Sequence, residues 1–203
     1  MTLSARLAAV AAALAVLTVS LAHAEGPPPP RPQAPGAVCG DARLLGAPLA
    51  PIDDEGACGV AVPVSLASAA GVALDPPATV GCAAATVLAD WLDAVKSAFP
   101  AGLAAITVVD AYSCRNRNRA SDGKLSEHAF GNALDIAAFH NADGSTVTVA
   151  AGWKDPAAGP LLRRLHEAAC GPFGTVLGPE ANALHADHLH FDIETRRSGP
   201  YCE

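Results

Sequence analysis

The chain has 203 residues, with 13 Lys plus Arg against 20 Asp plus Glu and a formal net charge of −7. With no basic excess, neither nucleic acid nor an anionic membrane surface is expected as its main partner. Hydrophobic residues make up 51% of the chain but aromatics only 4%, and much of the apolar content is alanine, so a modest core reinforced by cross-links is expected.

In chain order, Arg6 is followed by an apolar run from Leu7 to Leu21 and then by Ala22-His23-Ala24, the small-residue pattern of a signal peptidase site. Residues 1–24 therefore read as a signal peptide cleaved after Ala24, because the run falls short of the about 20 apolar residues of a spanning helix. The mature chain is expected to be periplasmic or secreted, with no membrane span after cleavage. Residues 25–37, EGPPPPRPQAPGA, have too few apolar side chains to offset ordering entropy and read as an extended proline-rich linker. Residues 38–203 form one domain without internal repeats, expected to be monomeric.

Cys39, Cys58, Cys82, Cys114, Cys170 and Cys202 all lie in that domain. An even count in an exported chain predicts three disulfides, and the absence of any CxxC pair argues against a thiolate metal site or a redox dithiol. The spacing does not choose among the pairings.

Within the domain, Val87, Leu88, Trp91, Leu92, Val95 and Phe99 recur at helical spacing, which predicts a helix over 84–99 ended by Pro100. A β-rich segment over 105–113 and a shorter one over 146–150 predict strands. Residues 159–170 read as a surface helix with Leu161, Leu162 and Leu165 inward and His166 exposed. Residues 175–177 and 188–193 read as strands, and His140, beside the turn residues Asn141 to Gly144, reads as exposed. Mixed elements without regular βαβ alternation give an α+β class.

Two stretches hold four of the seven histidines: SEHAFGNALD from Ser126 to Asp135, and HADHLHFD from His185 to Asp192. Where thiols are oxidised, imidazole and carboxylate are the natural ligands of a first-row metal, and three of them with an open fourth position define a catalytic zinc site. Strand alternation sends Leu189, Phe191 and Ile193 to the core and leaves His188, His190 and Asp192 together on the other face. It likewise sets Asp135 opposite Leu134, Ile136 and Ala138, and Asp192 could orient a ligand histidine.

The sequence here resembles the C-terminal domain of bacterial extensin-like proteins, itself similar to the D-alanyl-D-alanine peptidase, endolysin and Hedgehog group of zinc folds. The pattern SxHxxGxAxD is matched by Ser126, His128, Gly131, Ala133 and Asp135, and the resemblance runs from Cys39-Gly40 to Tyr201-Cys202. It implies a small antiparallel sheet with packed helices, disulfide-stapled, and a zinc ion (Zn²⁺) held by His128, Asp135 and His190. It implies a general base just before the third ligand, either Asp187 or His188, within an HxxHxH arrangement of His185, His188 and His190. It also implies an arginine after a strand that binds substrate and the developing oxyanion, a role matched by Arg115 in Tyr112-Ser113-Cys114-Arg115. Ser126 would position the first ligand loop.

The function implied is metallopeptidase-like hydrolysis of cell-wall (peptidoglycan) peptides by a zinc-activated water. The alternative is a non-catalytic envelope module with structural zinc, in which His185 or His188 would close the fourth position.

Overall fold

The computed structural model describes residues 35–203. The expected signal peptide, and most of the linker, lie outside the described residues. The strands are β1 (Gly36–Val38), β2 (Asp41–Pro48), β3 (Ile52–Asp53), β4 (Gly59–Val60), β5 (Pro63–Ala69) and β6 (Val72–Gly81). After helix α1 (Cys82–Val95) come β7 (Leu103–Asp110), β8 (Ala133–Asn141), β9 (Thr146–Thr148), helices α2 (Val149–Gly152) and α3 (Gly159–Ala169), then β10 (Thr175–Leu177), β11 (Leu189–Asp192) and β12 (Tyr201–Cys202).

The expectation of a small antiparallel sheet with packed helices is overturned. One ten-stranded sheet dominates, in the order β1-β2-β5-β6-β7-β8-β11-β10-β12 with β9 beside β8, and β3 and β4 pair separately. It is mixed, because β6–β7 and β10–β12 run parallel. The difference arises in residues 36–81, which add four strands to the main sheet from segments such as DARLLGAP, PVSLASA and VALDPPATVG. Gly, Ala, Pro and Asp carry little strand propensity, so pairing with neighbours, which sequence periodicity does not report, decides the outcome. Pro76 and Pro77 fit within β6 because they fall between its paired positions, in the extra residues separating Leu66↔Ala78 from Ser68↔Ala73.

Helix α1 forms where expected, its buried stripe including Leu88, Trp91, Leu92 and Val95, and a tight 3-10 turn over Lys96–Ala98 carries the chain to Phe99. Trp91 packs edge-on against Phe191 at 5.0 Å between ring centroids, and its indole N–H donates to the Leu165 carbonyl at 3.3 Å. Through this residue α1 and α3 share one core with the face of β8 and β11 that carries Leu134, Ile136, Leu189 and Phe191, all fully buried.

Other boundaries shift for local reasons. The strand expected to reach residue 113 ends at Asp110, and the one expected over 146–150 gives way at Val149 to α2, whose first turn is capped by the Thr148 hydroxyl accepting from Ala151 N–H at 3.3 Å. His166 is half-buried rather than exposed: its ring meets Trp153 edge-on and its Nε2 lies 3.2 Å from the Glu203 carbonyl. His140 is also half-buried, bridging Thr107 Oγ1 at 2.7 Å and Thr146 Oγ1 at 3.0 Å across three strands.

All six cysteines are paired, as Cys39–Cys82, Cys58–Cys114 and Cys170–Cys202. The first ties β1 to the start of α1. The second ties the β3–β4 hairpin to the loop after β7, and the third ties the end of α3 to β12.

Candidate metal centre

Antiparallel pairing of β8 with β11 sets His190 directly opposite Asp135, and Leu134 opposite Phe191 on the other face. His128 arrives from a 3-10 turn over Glu127–Phe130, N-capped by the Ser126 hydroxyl, which accepts from His128 N–H at 3.5 Å. Gly131 ends the turn in a left-handed conformation, φ +66°, and a Cβ there would lie 2.8 Å from Val60 Cγ2 and 2.9 Å from Gly81 N. Only glycine permits that turn to lie so close to β6.

Three buried groups meet as a result. His128 Nε2 lies 3.1 Å from Asp135 Oδ1 and 3.2 Å from His190 Nδ1, and His190 Nδ1 lies 2.9 Å from the same carboxylate oxygen. The far nitrogens define the tautomers. His128 Nδ1, 2.5 Å from the Ala111 carbonyl, must donate to it, and His190 Nε2, 3.0 Å from Asp192 Oδ2, must donate to that carboxylate. When the rings are neutral, each imidazole turns a lone pair to the common point, where Asp135 adds a third acceptor. Three converging acceptors repel unless a proton or a metal ion lies among them, and His128, Asp135 and His190 together could hold a metal ion.

Without a metal ion, a proton takes that position. Burial works to raise the Asp135 carboxyl pKa, but hydrogen bonds with His128 and His190 outweigh it and hold the group well below the carboxylate range. For His190, burial acts downward, yet the Asp135 and Asp192 carboxylates win and raise it to about 9. A proton or a metal ion thus competes for one position, and metal uptake releases a proton.

A cleft of about 360 Å³ opens onto this centre. His188 lines it, with Nε2 3.5 Å from Asp135 Oδ2 and Nδ1 2.8 Å from Oδ1 of Asp187, whose side chain is 74% exposed. His185 is buried behind, with Nδ1 2.9 Å from Asn182 Oδ1, its ring 5.2 Å from that of His188 and 5.8 Å from that of His190. Burial, then the neighbouring His190 and His188, depress its pKa to about 4. Arg115 is clamped by Asp110, at 3.0 Å from Nη2 and 3.2 Å from Nε, and its Nη2 lies 3.8 Å from Asp135 Oδ2.

A family model described as extensin-like protein C-terminus matches residues 37–203. The chain belongs to this family. Comparison with curated proteins and with solved structures finds no match, so the expected similarity to zinc peptidases is not supported by any relative or solved structure. Among the described residues no helix is long and apolar enough to cross a membrane, and with three disulfides the domain is consistent with a secreted or periplasmic protein.

Sequence reasoning missed several groups at the site. The Ala111 carbonyl carries no side-chain signal at all, and Asp110 reads as one more residue of the strand expected over 105–113. Asn182, which orients His185, and Glu194, which gathers Arg117, Lys124 and Arg196, are ordinary polar residues until the sheet brings them to the cleft.

Proposed function

We propose that the extensin-like domain is an exported zinc-dependent hydrolase of peptide amides, acting on cell-wall (peptidoglycan) peptides as a monomer. The observation that carries this reading is the convergence of three lone-pair-bearing atoms, 2.9–3.2 Å apart, at the floor of an open cleft. His128, Asp135 and His190 would hold the zinc, with Ala111 and Asp192 fixing the two rings. Zinc bound there supplies a Lewis acid that acidifies water and polarises an amide carbonyl.

The chain's own residues then divide the remaining work. His188 is the general base: its Nδ1–H donates to Asp187, which leaves the Nε2 lone pair facing the cleft. Asp187 orients that ring and points to solvent, so the two residues act as a pair. Arg115, held by Asp110, offers its free N–H groups to the carbonyl oxygen as charge develops there. Ser126 shapes the His128 turn and is not a nucleophile.

The test is metal content and zinc X-ray absorption of the purified protein, beside release of amines from peptidoglycan fragments. One zinc per chain, lost in His190→Ala but kept in His188→Ala with turnover falling by at least about 100-fold, is the expected outcome. A zinc centre closed by His188 or His185, with no turnover, would mark a structural module instead, and a protein without zinc under metal-replete conditions would end both readings.

A further inference from the structure

The run Arg115, Arg117, Arg119 brings three guanidiniums to the cleft, and their partners differ. Arg117 is anchored at two of its nitrogens, with Nη2 2.8 Å from Glu194 Oε1 and Nε 3.4 Å from the Leu125 carbonyl. Arg196 is held by Glu194 and by Thr175 Oγ1. Arg115 and Arg119 instead share one carboxylate oxygen, Oδ2 of Asp110, at 3.0 Å and 3.2 Å from their Nη2 atoms. Arg115 also faces Asp135 Oδ2 at 3.8 Å and is 16% exposed, whereas Arg119 has only its Asp110 contact and its side chain is 70% exposed.

The backbone is bent to achieve this. Asn118 and Arg119 are consecutive non-glycine residues in the left-handed region, φ 55° and 54°. Asparagine tolerates that conformation, while arginine is disfavoured there. The turn is closed by Arg119 N–H donating to the Asn116 carbonyl at 3.2 Å and by Asn116 Nδ2 donating to the Ala120 carbonyl at 3.2 Å, and it sets Asn118 and Arg119 in the cleft wall. A residue kept in a disfavoured conformation where its charge faces a cleft points to a ligand.

We propose that Arg119, backed by the Arg115–Asp110 pair, is a carboxylate-binding subsite at the mouth of the metal cleft, and that the ligand is a peptide bearing a carboxylate. That the peptide's amide lies over the metal rests on the hydrolase reading above; the subsite itself is tested without it. Arg119 has N–H groups to spare after its one bond to Asp110, enough for a bidentate contact with an incoming carboxylate.

The experiment titrates the protein, chelator-stripped and again zinc-loaded, with three acetylated tripeptides and follows binding by NMR shift changes. The probes are Ac-Ala-Ala-Ala with a free C-terminus, the same peptide as its amide, and Ac-Ala-Glu-Ala amide. At least one carboxylate probe should bind tighter than the neutral amide by on the order of fivefold, and which one does so tells a terminal from a side-chain carboxylate. Arg119→Gln should erase the preference, Arg119→Lys should keep part of it, and Arg164→Gln on α3 should leave it intact. Arg119→Asn should erase it while raising Tm, because asparagine relieves the left-handed backbone. A wild-type protein with no carboxylate preference, or a preference that survives Arg119→Gln, overturns the proposal. Failure of the hydrolase reading would look different: no zinc uptake or turnover, with the carboxylate preference intact in the stripped protein.

Discussion

The two faces of the β8–β11 pair are both buried but differ in chemistry. On one face Leu134, Ile136, Leu189 and Phe191 are fully buried against α1 and α3, each contributing about 1.5–3 kcal/mol through removal from water. On the other, one residue away along each strand, Asp135, His190 and Asp192 are also buried, but as a cluster of acceptors and rings that gains nothing from desolvation. The first face therefore holds the domain together, and the second is stored on it at a cost that a bound cation would relieve.

That division can be broken most forcefully from the apolar side. Phe191→Ala should lose about 3–5 kcal/mol in chemical denaturation, since the ring is fully buried and stacks on Phe173 at 5.0 Å and meets Trp91 at 5.0 Å. Its neighbour gives the opposite profile. Asp192→Ala leaves the core untouched and frees His190 Nε2, so zinc affinity should fall by about 10–100-fold in a competition titration. If Phe191→Ala and Asp192→Ala changed stability equally, the two faces would not be separate in function.

Gly131→Ala tests the seam between the site and the rest of the sheet. The left-handed backbone alone costs about 1–2 kcal/mol, and the added methyl would meet Val60 and the Gly81 backbone. Stability should fall by at least that amount, and zinc affinity with it, because the His128 turn must shift. Unchanged thermal and metal titrations would show that the β3–β4 hairpin does not brace the turn.

How much of this could be read from sequence follows the same line. The alternation in HLHFD separates core from site without any structure, because period-2 patterning is strongest where one face is apolar and the other ionisable. The helices over 84–99 and 159–170 were legible from their leucines, and the count of disulfides from compartment and parity. The sheet's true width was not legible. Its first four main-sheet strands are rich in Gly, Ala and Pro, whose extended conformation is stabilised by neighbours far along the chain. The partners of the site residues were equally hidden: the Ala111 carbonyl that meets His128 and the Asp110 carboxylate that Arg115 and Arg119 share have no sequence mark.

The smallest expected effect lies at the rim, where Glu194 gathers Lys124 at 2.6 Å, Arg117 at 2.8 Å and Arg196. The hydrogen bond from Lys124 comes first among the causes that lower its pKa to about 2, with burial opposing and Arg117 reinforcing. A carboxylate whose folded pKa lies below its unfolded value of about 4.5 stabilises the fold in full above the unfolded value, and loses that contribution as pH falls toward the folded one. The wild-type protein should therefore lose stability between about pH 5 and pH 2, and Glu194→Gln should flatten that part of the profile while lowering stability at neutral pH. Because the cations tether the 115–125 loop to the end of β11, the same variant should leave Phe191 packing unchanged and loosen the cleft wall, which hydrogen exchange at Arg117 and Lys124 would register. An unaltered acid limb in Glu194→Gln would assign the pH dependence to the buried centre itself, joining rim and site into one electrostatic unit.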